Sequence, residues 1–175
     1  MPLYPATPAE LPAAAALVNS AYRGEVSRQG WTTEADYING QRTDVAVLAG
    51  DLAANPDAKL LLFRDAPGSD LLGTVWLEPV EESVWYLGML TVRPDLQDRQ
   101  LGRSLLAAAE AAAAAEGARR IRMTVVSIRD TLIAWYQRRG YALTGETQPF
   151  PYGEAHVGQP LRDDLSFVVL EKALI

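Results

Sequence analysis

The sequence predicts a mixed α/β protein in which a central sheet is covered by helices on both faces. Apolar residues first recur at helical spacing, then at strand spacing over three successive segments, and finally in alternating helical and strand patterns. Such an order of elements favours a sheet with helices on either face. At 175 residues the chain is long enough for a hydrophobic core, and we expect one domain over residues 1–175.

The N-terminal third is predicted to be mostly helical, after a first strand at Leu3–Tyr4. Thr7, which is followed by proline, is an N-cap signal, and the apolar helical spacing then continues to Tyr22 and Gly24. The helix starts expected further along are Thr33 with Glu34, and Thr43, whose helix ends at Asn55.

Strand patterns are frequent from residue 59 onward. The predicted strands are Lys59–Phe63, Leu71–Leu77, Val84–Val92, Arg120–Val126, Tyr141–Thr147 and Leu165–Leu170. An alanine-rich helix is expected over Leu101–Glu116, with Gly117 as its C-cap. The run Ser127–Asp130 is predicted to be a capping box that opens a helix through Tyr136. The long loop Phe150–Pro160 is of the kind that is usually functional or mobile.

Composition excludes several classes of function. The chain has no cysteine and one histidine, which excludes disulfides and thiolate catalysis and makes a zinc site unexpected. Its net charge of −6 argues against a general nucleic-acid binder. No apolar run approaches the roughly 20 residues that span a bilayer, and the N-terminus lacks a signal-peptide pattern. We therefore expect a cytoplasmic protein with no metal, no nucleic-acid partner and no membrane partner.

The segment Met89–Leu106 carries the strongest functional signal. It is predicted to be a strand, a polar loop and the first turn of a long helix. Free backbone N–H groups at a helix N-terminus bind anions, most often phosphate. The loop side chains are polar and partly basic, and Gly102 lets a ligand approach the backbone. The segment predicts a phosphorylated cofactor, and an ordinary strand-to-helix turn is the alternative.

Two motifs resemble the GNAT superfamily of N-acetyltransferases. The run Val92–Gln97, with proline at its third position, followed by Gly102, is similar to the acetyl-CoA-binding motif of that family. The run Leu132–Tyr141 is similar to the family's tyrosine-bearing helix and the strand start that follows it. Both motifs stand in the family's order and spacing within Leu71–Thr147. The resemblance implies a mixed, mostly antiparallel sheet and a single acyl-CoA N-acyltransferase domain.

The resemblance also implies that acetyl-CoA is the cosubstrate, with its pyrophosphate held by backbone N–H groups of the loop. The residues expected at the cofactor are Leu90, Thr91, Val92, Gln97, Asp98, Arg99, Gln100, Leu101, Gly102, Arg103 and Ser104. Gln100 replaces the first glycine of the family motif, which is unfavourable if its φ is positive. Asp98 would repel a pyrophosphate unless it points to solvent. Gly88 either marks a bulge that splays the strand or allows tight packing.

For catalysis, the resemblance implies that Tyr136 protonates the departing CoA thiolate. A phenol with an unperturbed pKa of about 10 suits that role, and a core aromatic residue is the alternative. We expect Glu78 to be the base for the amine. Tyr86, which stands near a position where some family members carry glutamate, His156 and ordered water are the other candidates.

The acceptor is expected between the N-terminal region and the Phe150–Pro160 loop. The residues predicted to line its pocket are Tyr22, Arg23, Trp31, Glu34 and Tyr86. Aromatic rings and an acid there would bind a cationic amine, whereas a core position is the alternative for Trp31.

The predicted activity is acetyl-CoA-dependent transfer of an acetyl group to an amine of a small molecule, peptide or protein, by direct attack on the thioester. A homodimer is compatible with this prediction. Two alternatives stay open. The first is an inactive CoA-binding sensor or interaction protein of the same fold, and the second is a nucleotide-phosphate binder of unrelated fold.

Overall fold

The computed structural model describes residues 1–174 and has a large sheet with helices on both faces. The strands are β1 (Tyr4–Pro5), β2 (Ile38–Asn39), β3 (Lys59–Phe63), β4 (Gly73–Glu81), β5 (Val84–Val92), β6 (Arg120–Val126), β7 (Ala142–Pro149), β8 (Gln159–Pro160) and β9 (Ser166–Ala173). The α-helices are α1 (Leu11–Tyr22), α2 (Val45–Ala54), α3 (Leu101–Ala115) and α4 (Asp130–Gln137).

The large sheet has seven strands in the order β1-β3-β4-β5-β6-β9-β7. The pair β5 and β6 is parallel, and the other neighbouring strands in this sheet are antiparallel. The predicted mixed, mostly antiparallel sheet is therefore confirmed. β2 and β8 form a separate two-stranded sheet.

Alternation along the central strands divides the interior into two cores. Leu61 and Val75 face a core that includes Leu105 of α3, whereas Leu60 and Leu62 face the core formed with α1 and α2. Because successive strand residues point to opposite faces, a doubly buried strand such as β3 is almost entirely apolar. The alanines of α3 allow this helix to lie close to the sheet.

Several predicted element ends are confirmed. Thr7 begins a 3-10 turn at Pro8–Glu10 that leads into α1, and its backbone N–H donates to the Glu10 carboxylate at 2.8 Å. The bounds of β3, β5 and β6 are those predicted from sequence. The strands at Leu3–Tyr4, Leu71–Leu77, Tyr141–Thr147 and Leu165–Leu170 are present, but each begins one or two residues later than predicted and ends beyond the predicted end.

Three predicted helix starts are wrong because tertiary contacts occupy the residues concerned. Asp44, not Thr43, caps α2, since its carboxylate accepts the Val47 N–H at 2.8 Å. Ser127 extends the pairing with β9 through a 2.8 Å hydrogen bond from its N–H to the Ser166 carbonyl, so α4 begins at Asp130.

No helix begins at Thr33 and Glu34. The backbone N–H of Glu34 donates to the Tyr22 carbonyl at 2.8 Å, and the Thr33 hydroxyl accepts the Ala35 N–H at 3.1 Å. The short helical turn of this region lies earlier, at Glu25–Gln29.

The loop Phe150–Pro160 is ordered by its own contacts. It contains a 3-10 turn at Ala155–Val157 and ends in β8, which pairs with β2. Phe150 and Val157 pack in a third apolar cluster with Ile38. The loop therefore lies over the N-terminal region, as the sequence predicts for the acceptor side.

Candidate active site

The strands β5 and β6 pair at one end and then separate. Pairing joins Val84–Tyr86 to Arg120–Arg122 and, within residues 1–174, extends no further. We call the gap beyond it the strand slot. It has a volume of about 190 Å³ and lies between Tyr86–Leu90 of β5 and Met123–Val126 of β6.

A β-bulge in β5 lies at the strand slot. Trp76 pairs with Gly88 but Thr74 pairs with Thr91, so β5 has one more residue than β4 between these two pairs. Met89 adopts a φ of 46°, and its carbonyl accepts hydrogen bonds from the hydroxyls of Thr91 at 3.0 Å and Thr74 at 3.3 Å. The bulge predicted near Gly88 is confirmed, although the left-handed residue is Met89.

Gly88 also permits close packing, which was the alternative interpretation. A Cβ at this position would lie 2.8 Å from Cε1 of Tyr86. The Tyr86 hydroxyl lies 3.2 Å from the Thr124 hydroxyl on β6. The Tyr86 side chain therefore bridges the two separated strands.

The strand slot joins two cavities. The helix cleft, about 140 Å³, lies between the N-terminus of α3 and helix α4. The outer cavity, about 390 Å³, lies beside α2 and the Phe150–Pro160 loop. Tyr22 and Tyr136 line both the helix cleft and the strand slot, whereas Glu34, Arg42 and Tyr86 line both the strand slot and the outer cavity. The three cavities are therefore neighbours in the splayed part of the sheet, and we call them together the passage.

Free backbone N–H groups lie at the helix-cleft end of this passage. Within residues 1–174, the backbone amides of five residues around the start of α3 donate no hydrogen bond: Asp98, Gln100, Leu101, Gly102 and Arg103. The α3 dipole adds partial positive charge at the same point. This arrangement can bind an anion such as phosphate.

Gln100 precedes α3 in the left-handed conformation, with φ 59° and ψ 13°. The sequence predicts that Gln100 is unfavourable if its φ is positive, and its φ is indeed positive. A non-glycine residue in this region costs about 1–2 kcal/mol. Its carbonyl accepts the Ser104 N–H at 3.2 Å, so the strained residue starts the helix.

Gln97 holds the protein's own backbone. Its Oε1 accepts the Trp31 N–H at 2.8 Å, and its Nε2 donates to the Thr32 hydroxyl at 2.7 Å and to the Val92 carbonyl at 3.1 Å. A Cβ at Gly30 would lie 2.2 Å from the Gln97 Oε1. The Gln97 side chain therefore joins the Gly30–Thr32 segment to the loop before α3.

The other residues predicted at the cofactor divide into two groups. The helix cleft is lined by Leu90, Val92, Gln97, Asp98, Gln100, Gly102 and Arg103. It is not lined by Thr91, Arg99, Leu101 and Ser104. Thr91 is buried at the bulge and Leu101 packs against the core, so their side chains are structural.

Tyr136 lies where the helix cleft meets the strand slot. Its ring packs edge-on against Trp135 at 5.1 Å and Tyr141 at 5.7 Å. Burial, and to a smaller extent the nearby Tyr22, raises the pKa of Tyr136 well above 10, so the phenol is protonated at neutral pH. Within residues 1–174, its hydroxyl makes no hydrogen bond and is free to donate to a ligand.

Tyr22 and Trp31 lie on the helix-cleft side, whereas the sequence placed them at the acceptor. The Tyr22 hydroxyl donates to the Leu90 carbonyl at 2.5 Å, and burial raises its pKa above 10. Trp31 packs against Trp135 with ring centroids 5.9 Å apart, because Gln97 holds its backbone beside the α3 loop. Neither side chain lines the outer cavity.

Glu34 is buried between two guanidinium groups. Its carboxylate contacts Arg23 at 3.2 Å and Arg129 at 3.4 Å, and Arg129 also donates to the Thr32 carbonyl at 2.6 Å. These two contacts balance the charge of Glu34 within the protein, and its binding of a cationic amine stays a prediction that they do not support. The cluster carries a net positive charge at the junction of the strand slot and the outer cavity.

Glu78, Tyr86 and His156 line the outer cavity, as Arg23 does. Glu78 is partly buried and makes no ion pair within residues 1–174, whereas His156 lies 3.4 Å from Glu154 and is largely exposed. Glu78 and Tyr136 share no cavity. Tyr136 lines the strand slot, whereas Glu78 lines the outer cavity beside it.

A comparison with protein-family models matches residues 18–141 to the acetyltransferase (GNAT) family. That match covers more than half of the chain and includes both ends of the strand slot. The chain belongs to the GNAT family. The alternative of a nucleotide-phosphate binder of unrelated fold is therefore wrong.

Two solved acetyltransferases share this fold over nearly the whole chain, and a third shares it over about two thirds. The ribosomal-protein-S18-alanine N-acetyltransferase of Escherichia coli is 14% identical with a TM-score of 0.69, over 99% of this chain and 93% of that one. An N-acetyltransferase of Staphylococcus aureus Mu50 is 17% identical with a TM-score of 0.69, over 99% and 98%. Nourseothricin acetyltransferase is 22% identical with a TM-score of 0.56, over 69% and 67%. A search of the curated proteins finds no match.

Four residues that line the passage of this GNAT protein were not predicted as site residues: Arg42, Thr43, Arg129 and Arg139. Arg138, also not predicted, lines a neighbouring cavity with Arg103 and Arg139. Arg139 lies 3.8 Å from the Trp135 ring and donates to the Trp135 carbonyl at 2.7 Å. Burial and the charges of Arg138 and Arg103 lower its pKa from the usual arginine value. The i, i+4 spacing of Trp135 and Arg139 was a signal for that contact.

In the part of the chain that the structure describes, no helix has the length and apolar character needed to cross a membrane.

Proposed function

We propose that this GNAT protein transfers the acetyl group of acetyl-CoA to the amine of an acceptor molecule. The main support is the arrangement of the passage. Free backbone amides lie at the helix cleft, the strand slot lies next to it, and the outer cavity lies beyond the strand slot. Acetyl-CoA would enter from the helix cleft and the acceptor from the outer cavity. The two reactants would then meet within the strand slot, which supplies positioning.

The residues at the helix cleft fit a CoA pyrophosphate. Five amides without acceptors among the described residues surround the start of α3, and a Cβ at Gly102 would make an ordinary contact with Trp135 at 3.5 Å. Arg103, Arg138 and Arg139 supply positive charge beside this loop. Asp98 also lines this cleft, but it is exposed, so water can screen its carboxylate from the phosphates.

Acetyl-CoA supplies the acetyl group as a thioester, and its sulfur leaves as a thiol. In our proposal a backbone amide of Leu87–Val92 donates to the thioester carbonyl and stabilises the developing negative charge. Tyr136 donates a proton to the departing sulfur, because its buried phenol is protonated and has no other partner.

Removal of the amine proton falls to Glu78 or to water. Glu78 lines the outer cavity without an ion-pair partner among the described residues, which favours it over the Glu154-paired His156. Tyr86 is engaged with Thr124 across the strand slot, so it serves as a wall of the acceptor site. Cytoplasmic location and the choice between monomer and homodimer stay predictions.

Calorimetry with acetyl-CoA, followed by mass spectrometry of an amine panel, tests this function. We expect acetyl-CoA to bind and at least one amine to gain an acetyl group. Gly102→Glu places a carboxylate in the helix cleft and should weaken acetyl-CoA binding about tenfold or more, whereas Gly102→Ala should bind within a fewfold. Binding without transfer to any amine would favour the inactive sensor. Absence of binding would contradict the proposal.

A further inference from the structure

Arg42 presents a guanidinium without a counter-ion to the proposed acceptor site. It is partly buried and lines both the outer cavity and the strand slot. Within residues 1–174, its side chain makes no ion pair and no hydrogen bond. By contrast, Arg23 and Arg129 in the same wall are both paired with Glu34. Arg42 is therefore available to an anion in the cavity.

Thr43 places an unused hydroxyl beside Arg42. Its side chain is buried, lines the outer cavity and has an Oγ1 without a hydrogen-bond partner among the described residues. Buried hydroxyls are normally hydrogen-bonded, because an unpaired one costs free energy. An acceptor atom supplied by a ligand would satisfy this group.

The backbone of both residues is fixed. The Asn19 side chain of α1 accepts the N–H of Arg42 at 2.7 Å and of Thr43 at 3.1 Å, and it donates to the Thr43 carbonyl at 2.9 Å. A rigid backbone reduces the entropy lost when a ligand binds. The two residues are therefore held in place in the wall of the outer cavity.

The charges around the outer cavity suit a ligand with both signs. Arg42 is the free cation on the side next to the strand slot, whereas Glu78 on β4 is a carboxylate without an ion-pair partner among the described residues. A cavity of about 390 Å³ is in the range that holds small molecules.

We propose that the acceptor is a small amine that carries a carboxylate, as a free amino acid does, and that Arg42 and Thr43 bind this carboxylate. Arg42 would form a bidentate, charge-assisted pair of hydrogen bonds with the carboxylate, and the Thr43 hydroxyl would donate a hydrogen bond to the same carboxylate. A peptide N-terminus has no carboxylate next to its amine, so it would bind this subsite poorly. The inference rests on the proposed function and names its substrate class.

The test measures kcat/KM for the twenty common amino acids and for their primary amides, by release of the CoA thiol. We expect the best acceptors to be amino acids with a free carboxylate. Arg42→Met should lower kcat/KM for the best amino acid about 10- to 100-fold and leave that of its amide within about twofold. Arg42→Lys should give an intermediate kcat/KM for the amino acid, because lysine keeps the positive charge but cannot form the bidentate hydrogen bonds.

Two further variants separate binding from folding. Thr43→Val should lower kcat/KM for the amino acid about 3- to 10-fold without lowering Tm, because the hydroxyl has no partner in the fold. Arg119→Met, which removes the same charge at an exposed site outside these cavities, should change neither acceptor. Calorimetry should show unchanged acetyl-CoA affinity in the Thr43→Val and Arg119→Met proteins.

Three results would overturn the inference. The primary amides could react as well as the amino acids, or Arg42→Met could lower kcat/KM equally for an amino acid and its amide. The protein could also acetylate peptides and simple amines but no amino acid. Failure of the proposed function is distinguished in the wild-type protein, which would then either not bind acetyl-CoA in calorimetry or bind it and acetylate no amine of any class.

Discussion

At Gln100 the backbone is left-handed, with φ 59°, next to the amides that we assign to the pyrophosphate. Glycine adopts this conformation without the clash between Cβ and the following carbonyl. The left-handed conformation costs a non-glycine residue about 1–2 kcal/mol, and the greater freedom of glycine in the unfolded chain offsets about 0.5–1 kcal/mol of the gain.

Gln100→Gly should therefore raise the free energy of unfolding by about 0.5–1 kcal/mol, measured by urea denaturation. Arg99→Gly is the matched control, since Arg99 is in the same exposed loop but is not among the residues with positive φ. That control should be neutral or destabilising. A less stable Gln100→Gly protein would show that the left-handed conformation carries no strain.

Within residues 1–174 the Tyr136 hydroxyl makes no hydrogen bond, so its removal should affect catalysis and leave stability at neutral pH unchanged. Tyr136→Phe should lower kcat about 100-fold or more and leave acetyl-CoA affinity within about twofold. Because burial holds the pKa of Tyr136 above 10, the wild-type kcat should not fall between pH 7 and 9 through loss of this proton. An unchanged kcat in the variant would remove Tyr136 from the mechanism.

At the scale of elements, two features set the conformation of β5: its bulge and the close packing of the Tyr86 ring on Gly88. Gly88→Ala should lower the free energy of unfolding by about 1–3 kcal/mol, because its Cβ would lie 2.8 Å from the Tyr86 ring. It should also weaken acetyl transfer by displacing the ring that bridges to Thr124. Gly50→Ala in α2 is the control, since a Cβ there meets nothing within 4 Å.

In urea denaturation the Gly50→Ala protein should be as stable as wild type, or more stable by up to about 1 kcal/mol, because alanine favours helix. Equal stability of the Gly88→Ala protein and this control would contradict the packing argument.

Elements with strong local patterns could be predicted from the sequence. The alanine-rich α3 and the apolar runs of β3, β5 and β6 satisfy local propensity and burial together, so their positions agree with the structure. The helix starts at Thr43 and Ser127 were wrong because each residue is engaged by a distant part of the chain, Asn19 and Ser166 respectively.

The candidate site was predictable only where it follows a local motif. The loop before α3 is one continuous segment of sequence and the helix with Tyr136 is another, and both line the helix cleft. The acceptor side is assembled from separate segments, so neither the pairing of Glu34 with two arginines nor the free state of Arg42 has a local signal. Those properties depend on which charges the fold brings together.

At the scale of the whole molecule, four tyrosines are held protonated by the interior: Tyr22, Tyr37, Tyr136 and Tyr141. Burial is the largest cause that raises each pKa above 10. Above pH 10 the unfolded chain loses these protons while the folded chain keeps them, so unfolding is favoured as pH rises.

Stability should therefore be unaffected by these groups below pH 10 and should fall steeply above it. Each buried phenol that stays protonated contributes a loss of up to about 1.4 kcal/mol at one pH unit above 10. Urea denaturation between pH 9 and 11 measures the effect, and Tyr136→Phe should make the fall shallower. A free energy of unfolding that is constant to pH 11 would contradict it.

The central claim is that acetyl-CoA occupies the helix cleft and the strand slot of this fold. Its most direct test is a titration of ¹⁵N-labelled protein with acetyl-CoA, followed by backbone amide chemical shifts. The account predicts the largest shifts at Asp98–Arg103 and Leu87–Val92, with little change at the exposed edge strand β7. Shifts confined to other parts of the chain, or no shifts at saturating acetyl-CoA, would contradict it.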